Sequence, residues 1–510
     1  MIRLLAVLAL FFVPAAARAE WYEASTRHFV VYSDENPKKL RAFAERLERF
    51  DQAVRILRGI SNVPLGDANR LTVYVVGNVT VIEKLVGRRD VAGFYRGRAG
   101  GSVAFVPRQS GGKSILDLTP EAILLHEYSH HLMLGVGPEA AYPGWFVEGW
   151  AEFHATARFD RDGSVIFGDA PGYRAYSLLD GNWLPVEKMM RADTLKLDGE
   201  QTEGLYGRGW LLTHYLTFSA ERKGQLTAYL AAINGGESSY DAAVATFGDL
   251  GALDKELERY KHRGLQAARV AGDSIQVGAV TLRKLSAGAA AVMEVRIRSK
   301  NGVDDDTAPE VYEMAKKACA PFPDDAAVQL VLAEAAYDAG DYAAAETAAD
   351  RALAIDSKAV DGYVYKAMAR MAVAARDKDR SDSTWTGIRR IIAAGNQLDP
   401  DDPEPLILFF QSYTMAGLAP NDNAKSGLLY AFGLAPQDER LRMMVVQVAL
   451  SDGNAGAARR LLKPLAYSPH HSALTRLARR MLDAIDRGGA GAALEEMSNG
   501  SDAADASDEE

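Results

Sequence analysis

The stretch Thr119–Met133 reads TPEAILLHEYSHHLM and contains the pattern HExxH, formed by His126, Glu127 and His130. The residues before the pattern are typical of a helix start, and residues four apart share one face of a helix. The two imidazoles therefore point at one place, and neutral imidazoles are suitable ligands for zinc. Glu127 lies between them and can act on a zinc-activated water. The apolar neighbours predict a buried helix, in which His131 points to another side and caps or packs.

A catalytic zinc usually has three protein ligands, so a third ligand is expected on a second element. Residues 143–153 read PGWFVEGWAEF and place Glu148 and Glu152 one helical turn apart among aromatic residues. Such carboxylates are costly to bury unless they bind something. Glu148 is predicted to be the third metal ligand. Glu152 is predicted to accept a hydrogen bond from the free ring N–H of a ligand histidine. Local capping or a local salt bridge is the alternative for either carboxylate.

Taken together, HEYSH and WFVEGWAEF resemble the gluzincin zinc peptidases, the thermolysin- and aminopeptidase-like clan. The similarity is greatest to the bacterial peptidase-MA-like domains of periplasmic proteins, and it covers residues 119–216. It implies a Zn²⁺ cofactor, hydrolysis of peptide bonds and a glutamate ligand at the position of Glu148. Two departures from the clan are Val147, where Asn is common, and Glu152, where Asp is common. These departures concern substrate handling more than metal binding.

The resemblance also implies two further features of the site. The clan carries a Tyr or His that stabilises the oxyanion, and Tyr206 in the segment LYGRGW is the candidate, with His214 and Arg208 as alternatives. A phenol O–H suits a developing negative charge, although Tyr206 could also serve only in packing. The clan binds extended substrate along the edge strand of its sheet. The candidate edge strand contains Val103 and Phe105, which are therefore predicted to bind substrate.

The spacing of apolar residues predicts an α+β fold for the N-terminal half of the chain. Strands are predicted at residues 27–33, 71–77, 92–95 and 102–107, and helices at residues 36–58 and 79–87. Residues 143–268 are predicted to be mostly helical, with a closing helix at 253–270. Alternating stretches at 274–284 and 291–299 predict strands in a short bridge. The resulting gluzincin-like layout is a small mixed sheet, the HExxH helix and a helical subdomain.

From about residue 307 the sequence becomes rich in alanine and shows a repeating pattern. One unit matches a tetratricopeptide repeat (TPR) at its small and aromatic positions, namely Leu332, Ala333, Tyr337, Gly340, Tyr342, Ala345, Ala349 and Ala352. Gly340 is expected in the turn between two helices. Repeat ends recur at Pro323, Ser357, Pro400, Pro436 and Pro469. The pattern predicts three to five TPR-like units in a short α-helical solenoid, with a charged insert near 376–380. An unrelated helical bundle is the alternative.

The two ends of the chain and its charge bear on its location and partners. Residues 1–19 have a basic start, an apolar core and an Ala-x-Ala end, which predicts a cleaved signal peptide and a periplasmic or secreted bacterial protein. The formal net charge is −10, and no basic face suggests binding of nucleic acid. A single cysteine, Cys319, excludes an intrachain disulfide. The acidic end of the chain predicts a disordered tail, and no transmembrane segment is predicted in the mature chain.

These observations divide the chain into five predicted parts. They are a signal peptide (1–19), a zinc peptidase domain (20–270), a β-rich bridge (271–306), TPR-like repeats (307–485) and an acidic tail (486–510). The leading hypothesis is an exported zinc metallopeptidase with Glu127 as general base, whose repeats bind a protein partner or the substrate. The alternative is a non-catalytic exported scaffold with a structural or inactive zinc domain. A zinc hydrolase acting on a non-protein amide is a third hypothesis.

Overall fold

The fold is taken from a computed structural model, which describes residues 20–504 except 63–64, 88, 90, 92, 110–117, 181–183, 196 and 469–471. The predicted signal peptide and the last residues of the predicted tail, 505–510, lie outside the described residues. The strands are β1 (Tyr22–Ser25), β2 (Phe29–Ser33), β3 (Leu71–Asn78), β4 (Phe94–Arg96), β5 (Val103–Gln109), β6 (Arg158–Phe159), β7 (Val165–Phe167), β8 (Ala268–Val270) and β9 (Thr281–Lys284).

The helices of the N-terminal half are α1 (Pro37–Arg58), α2 (Val79–Val86), α3 (Pro120–Val136), α4 (Gly144–Ala155), α5 (Val186–Met190), α6 (Gly199–Phe218), α7 (Gln225–Gly235), α8 (Ser239–Phe247) and α9 (Leu250–Tyr260). Those that follow are α10 (Ala287–Ala291), α11 (Met293–Asn301), α12 (Ala308–Cys319), α13 (Ala326–Asp338), α14 (Tyr342–Ile355), α15 (Val360–Arg376), α16 (Asp382–Leu398), α17 (Pro403–Met415), α18 (Asp422–Leu434), α19 (Glu439–Ser451), α20 (Ala455–Ala466) and α21 (Ala473–Ala504).

A mixed six-stranded sheet organises the N-terminal half, with the strand order β4-β5-β3-β2-β1-β9. Strands β2, β3 and β5 are parallel, whereas β4, β1 and β9 each run antiparallel to a neighbour. Successive side chains of a strand point to opposite faces of the sheet. Ala104 and Val106 therefore pack with the core of α1 and α3, whereas Val103 and Phe105 pack with α2 and α11. The sheet thus lies between two helical layers.

The substrate-binding role predicted for Val103 and Phe105 is wrong. Strand β5 is not an edge strand, because β4 pairs with it antiparallel, Phe94 opposite Phe105 and Arg96 opposite Val103. Val103 is 3% exposed and Phe105 is fully buried on the face of the sheet away from α3. The sequence indicates two strands here but not that the chain folds back between them to make a hairpin. The edge strand on this side of the sheet is β4.

The predicted β-rich bridge is largely helical. Residues 281–284 form β9, which extends the sheet beside β1, but the strand predicted at 291–299 is helix α11. Val292 and Val295 pack against α12 and α13, whereas Met293 and Ile297 pack against the sheet. A helix that is apolar on two sides loses the one-sided pattern of a surface helix, which explains the wrong prediction.

The predicted helical region from 143 to 268 also contains strands. Strands β6, β7 and β8 form a small antiparallel sheet. The closing helix predicted at 253–270 is α9, which ends at Tyr260, and β8 follows it. Strands of two or three residues are too short for an alternating pattern to reveal them.

The predicted helical solenoid is present from α12 onward. Each helix packs against the next, and the alternate helices α13, α15 and α17 also pack against one another. Four helix pairs, α13–α14, α15–α16, α17–α18 and α19–α20, begin within a few residues of the predicted repeat ends. The unit between the predicted repeat ends Ser357 and Pro400 is longer than the others. Its helices α15 and α16 have 17 residues each, so the charged insert alone does not account for its length.

The turn inside each helix pair has the same backbone form. Gly340, Gly417 and Gly453 are each the second residue after the first helix of a pair, with φ of 77°, 76° and 72°. Lys378 takes the same place in the α15–α16 turn, with φ of 53°. The N–H of the following residue bonds the carbonyl oxygen five residues back, as from Asp341 to Ala336. This is the Schellman arrangement that favours glycine, and the turn predicted at Gly340 is confirmed.

The tail predicted to be disordered from residue 486 is helical as far as residue 504. Helix α21 continues through a kink at Gly488 and Gly489. Beyond the kink Ala493 is fully buried, and Leu494 and Met497 pack against the last helices of the solenoid. A few apolar residues among the charges are enough to dock the segment. Within the described residues, every helix is too short or too polar to cross a bilayer.

Candidate metal centre

Helix α3 presents the HExxH residues on the side away from the sheet. The side chain of Thr119 caps the helix by accepting a hydrogen bond from the Ala122 N–H at 3.1 Å, and Pro120 begins the first turn. Leu124 and Leu125 are buried in the core beneath the sheet. Burial of that face leaves His126, Glu127 and His130 on the other, partly exposed side, with His126 and His130 side chains 13% and 14% exposed.

Helix α4 brings Glu148 to the two histidines, and close packing brings α6 beside it. The two helices meet at Gly149 and Gly209, where a methyl group on either glycine would overlap backbone atoms of the other helix. Such a close approach is possible only without side chains. The contact places Tyr206, three residues before Gly209, over the same region. The rings of Tyr206 and His126 have centroids 6.0 Å apart.

The three predicted ligands converge on one point. Nε2 of His126 lies 3.0 Å from Nε2 of His130 and 3.2 Å from Oε2 of Glu148, and the third side of the triangle, from His130 to Glu148, is 3.6 Å. Ligand atoms about 2.0–2.1 Å from a tetrahedral zinc are about 3.3 Å from each other. The donor set, two imidazoles and one carboxylate, also suits zinc. The residues present therefore fit a zinc ion held by His126, His130 and Glu148.

Glu152 is completely buried behind His126 and is held by a neighbouring segment. Its Oε1 is 3.7 Å from Nδ1 of His126, on the side where a ligand histidine needs an acceptor. Arg174 donates to Oε1 at 2.9 Å, and Tyr173 donates to Oε2 at 2.7 Å. Arg174 also binds Glu203 of α6 at 2.7 Å and lies over the ring of Tyr206. Arg174 therefore ties α4 to α6 behind the three donors.

The carboxylates of the centre favour a positive charge among them. Burial by itself lowers the pKa of His126, but the hydrogen bond to Glu148 and the charges of Glu152, Glu148 and Glu127 raise it to about 9. Burial opposes ionisation of Glu148, yet His130 and His126 hold its pKa well below the ordinary value. Ionised Glu148 is the form that binds a metal. A bound divalent cation would supply positive charge that compensates these carboxylates.

Tyr206 is the best placed of the three oxyanion candidates. Burial and then the charge of Glu148 raise the pKa of Tyr206, so the phenol keeps the proton it would donate. His214 is buried between the Tyr260 hydroxyl and the Gln266 carbonyl oxygen. Arg208 donates to the Leu184 carbonyl oxygen and pairs with Asp254. Neither alternative lies beside the three donors.

Glu127 and His130 line a cavity of about 1100 Å³. Tyr95 and Arg96 of β4 line the same cavity, so the edge strand and the metal centre share one space. The side chain of His131 points the other way, where its Nδ1 shares a hydrogen bond of 2.7 Å with the Tyr95 hydroxyl and its ring stacks on Tyr128. Burial lowers the pKa of His131 to about 4, which keeps it neutral. His131 packs, as predicted, and the contact anchors β4 to α3.

The sequence did not point to Tyr173, Arg174 or Tyr95. Tyr173 and Arg174 lie in a single short turn, Gly172–Arg174, which has no periodicity that could have predicted their position. A second buried group, His28, Glu48 and Asp51, was also not predicted. There Asp51 accepts hydrogen bonds from Arg55 and from Tyr128 of α3, so this group braces the motif helix from below.

Comparison with known proteins adds little to this geometry. No family model and no curated protein matches the chain. One similar solved structure is a thermophilic TPR protein from Thermus thermophilus, at 17% identity and a TM-score of 0.33. The match covers 38% of this chain and 98% of that protein. A TM-score of 0.33 is too low to establish a common fold, so the solenoid is recognised by its own helix pairs.

Proposed function

We propose that the chain is an exported zinc metallopeptidase. It would hydrolyse peptide bonds in a cavity that is lined on one side by its TPR-like solenoid. One observation carries the proposal: the Nε2 atoms of His126 and His130 and Oε2 of Glu148 form a triangle of zinc-site dimensions, with Glu127 beside it on the cavity. The signal-peptide pattern of residues 1–19 supports export.

The residues of the centre would divide the work of hydrolysis. Bound zinc would supply a positive charge that makes water a stronger acid and stabilises a negative carbonyl oxygen. Glu127 would take a proton from water as the oxygen attacks the scissile carbonyl carbon. It would then give that proton to the amine nitrogen as the C–N bond breaks. Tyr206 would donate a hydrogen bond to the oxyanion, and Glu152 would hold the ring of His126.

Substrate would bind in extended form along β4. Within the described part of the sheet, β4 has β5 on one side and no strand on the other. Such an edge offers backbone hydrogen bonds to an extended peptide. Tyr95 and Arg96 bring this edge to the cavity that holds Glu127. The role predicted for β5 is thus assigned to β4.

The test is zinc content and peptide hydrolysis of the mature protein beside two variants. Glu148→Ala should lose or weaken zinc, because it removes one of three ligands. Glu127→Gln should keep one zinc per chain and lose hydrolysis of an unfolded protein substrate. Glu121→Gln is the matched control on the same helix, since Glu121 pairs with Arg46 near the surface.

Two results would contradict the proposal. Folded, zinc-supplemented protein without zinc would favour the non-catalytic scaffold. Zinc binding with full activity in Glu127→Gln would remove Glu127 from the mechanism.

A further inference from the structure

The cavity beside Glu127 has two walls that come from distant parts of the chain. One wall is formed by β4, the turn after it and α3. The other is formed by the first helices of successive solenoid pairs, α13, α15 and α17, through Asp338, Tyr365, Met368, Glu404, Leu408 and Gln411. These helices pack against one another and form the inner face of the solenoid. The inner face therefore looks toward the metal centre across one continuous space.

The solenoid is attached firmly enough to act as a wall. Near the start of α19, Asp438 accepts the Ala99 N–H at 2.8 Å, and Gln437 donates to the Ser102 hydroxyl at 3.1 Å. In α20, Arg460 pairs with Glu139 at 2.8 Å, and Lys463 donates to the Asn234 carbonyl oxygen at 3.0 Å. The other end of the array joins the sheet through β9 and α11.

The inner face carries two carboxyl groups that make no ion pair among the described residues. Glu334 pairs with Lys300 at 2.9 Å. Asp338 and Glu404 line the cavity, and neither makes an ion pair with any described residue. Arg98 lowers the pKa of Asp338 by its charge, but its guanidinium donates to the carbonyl oxygens of Lys300 and Asn301. Asp338 and Glu404 therefore have no direct ion-pair partner among the described residues.

The raised pKa values of Asp338 and Glu404 agree with the lack of an ion-pair partner. Burial, followed by the charge of Glu334, raises the pKa of Asp338 to about 7. Burial, followed by the charges of Asp402 and Asp361, raises the pKa of Glu404 to about 8. Lys300 lowers both pKa values and Arg98 lowers that of Asp338, but together they do not cancel the rise. A cation entering from the cavity would restore ionisation of both carboxylates.

A second, independent feature of the same space also points to a ligand. The hydroxyl of Ser299 is buried, and the residue is only 4% exposed. It lines the cavity beside Lys300 and has no hydrogen-bond partner among the described residues. A buried hydroxyl without a partner is uncommon in a folded protein. The rings and chains of Tyr365 and Met368 in the same wall suit the apolar stem of a long cationic side chain.

We propose that the part of the cavity lined by Asp338 and Glu404 is a binding site for a cationic side chain, lysine or arginine, of the polypeptide substrate. The inference rests on the proposed function for the nature of its ligand. It makes the solenoid part of the substrate-binding cleft rather than a separate docking module. The peptidase would then select extended segments that carry a basic residue at a set distance from the bond placed at Glu127.

The experiment measures peptide binding without turnover, in full-length mature protein carrying Glu127→Gln. The probes are short peptides of Ala and Ser in which one Lys is moved along the chain, each matched with a peptide that has norleucine in its place. At the best position the Lys peptide should bind about tenfold more tightly than its match. Asp338→Asn with Glu404→Gln should abolish this difference. Asp324→Asn with Glu313→Gln removes the same charge from the exposed surface and should keep it.

The outcomes separate this inference from the proposed function. No Lys preference, no binding of any peptide, or the same preference in Asp338→Asn/Glu404→Gln would overturn the cationic site, even if the wild type holds zinc and cleaves peptides. A preference that depends on Asp338 and Glu404 would support the site even if the wild type proved unable to hydrolyse peptides. Thermal unfolding of the double variant checks that it folds, and neutral side chains should not destabilise this wall.

Discussion

The metal centre and the solenoid position their key residues in opposite ways. At the metal centre, the key side chains come from four separate segments, α3, α4, α6 and the turn Gly172–Arg174, and each segment supplies between one and three of them. In the solenoid, one turn recurs in four helix pairs and is made by hydrogen bonds within six residues. A single substitution at the centre should therefore abolish metal binding or activity. Equivalent substitutions in the solenoid should give small, similar changes in the free energy of unfolding.

The two regions also differ in how they treat buried charge. In the metal centre, Glu148 faces two histidines, and Glu152 is held by Arg174 and Tyr173. On the inner face of the solenoid, Asp338 and Glu404 have raised pKa values and make no ion pair among the described residues. Paired charges in the first region stabilise one arrangement. Unpaired charges in the second cost stability and remain available to a ligand.

The largest effect is expected from Tyr206→Phe. In the proposed mechanism Tyr206 donates a hydrogen bond to the oxyanion, so loss of the phenol O–H should lower kcat for peptide hydrolysis about 10²- to 10³-fold. Zinc content should stay unchanged, since Tyr206 is not a ligand. Tyr430→Phe, at an exposed tyrosine of the solenoid bonded to Asp401, is the control. Activity close to wild type in Tyr206→Phe would assign that tyrosine to packing.

The second prediction concerns the unpaired carboxylates and the dependence of stability on pH. Ordinary pKa values of 3.8 and 4.5 rise to about 7 for Asp338 and about 8 for Glu404 in the folded chain. The folded state therefore binds more protons, so these groups lower stability as pH rises from about 4 to about 8. The loss should be about 2 kcal/mol after allowance for partial exposure of both side chains.

Asp338→Asn with Glu404→Gln should flatten this dependence. Thermal unfolding at pH 5 and pH 8 compares the variant with the wild type, and the variant should gain most at pH 8. If the melting temperature changed equally between pH 5 and pH 8 in both proteins, the charges of both carboxylates would already be compensated in the folded chain.

The third prediction tests the close contact of α4 and α6. A methyl group in Gly209→Ala would overlap the Trp145 carbonyl oxygen, so the helices must separate. Overpacking of this kind costs about 1–3 kcal/mol, partly offset by the better helix propensity of alanine. Gly387 in α16 has open space around it and provides the matched control in the solenoid. Gly387→Ala should stabilise by up to about 1 kcal/mol in chemical unfolding. Equal effects of both changes would show that the helices do not need the contact.

The sequence predicted local features well and long-range ones poorly. The HExxH spacing placed His126 and His130 on one helical face, and the aromatic surroundings of Glu148 indicated a buried, engaged carboxylate. The structure brings all three together. Arg174 gave no such signal, because its role depends on a turn folding back against α4 and α6. No local pattern contains that information.

Errors in the fold prediction have the same origin. The pattern of residues 102–106 predicts an edge strand, but which strand pairs with which is decided by the turn between β4 and β5. The alternation over residues 291–299 predicts a strand, whereas α11 forms there, because burial between the sheet and α12 makes this helix apolar on two sides. The repeats were easier, since Gly340 and its equivalents determine their turns within a few residues.

The smallest effects are expected at the four equivalent turns of the solenoid. They test whether each helix pair contributes a similar amount to the free energy of unfolding. Lys378 is held at φ of 53°, where three other pairs have glycine. A left-handed conformation costs a residue with a Cβ about 1 kcal/mol. Lys378→Gly should therefore stabilise by about that amount, although the unfolded chain gains some freedom. Gly340→Ala should destabilise by a similar amount, because it creates the same strain in another pair. Denaturant unfolding measures both changes. If Lys378→Gly were neutral while Gly340→Ala was costly, the α15–α16 turn would be stabilised by contacts of the Lys378 side chain rather than by its backbone form.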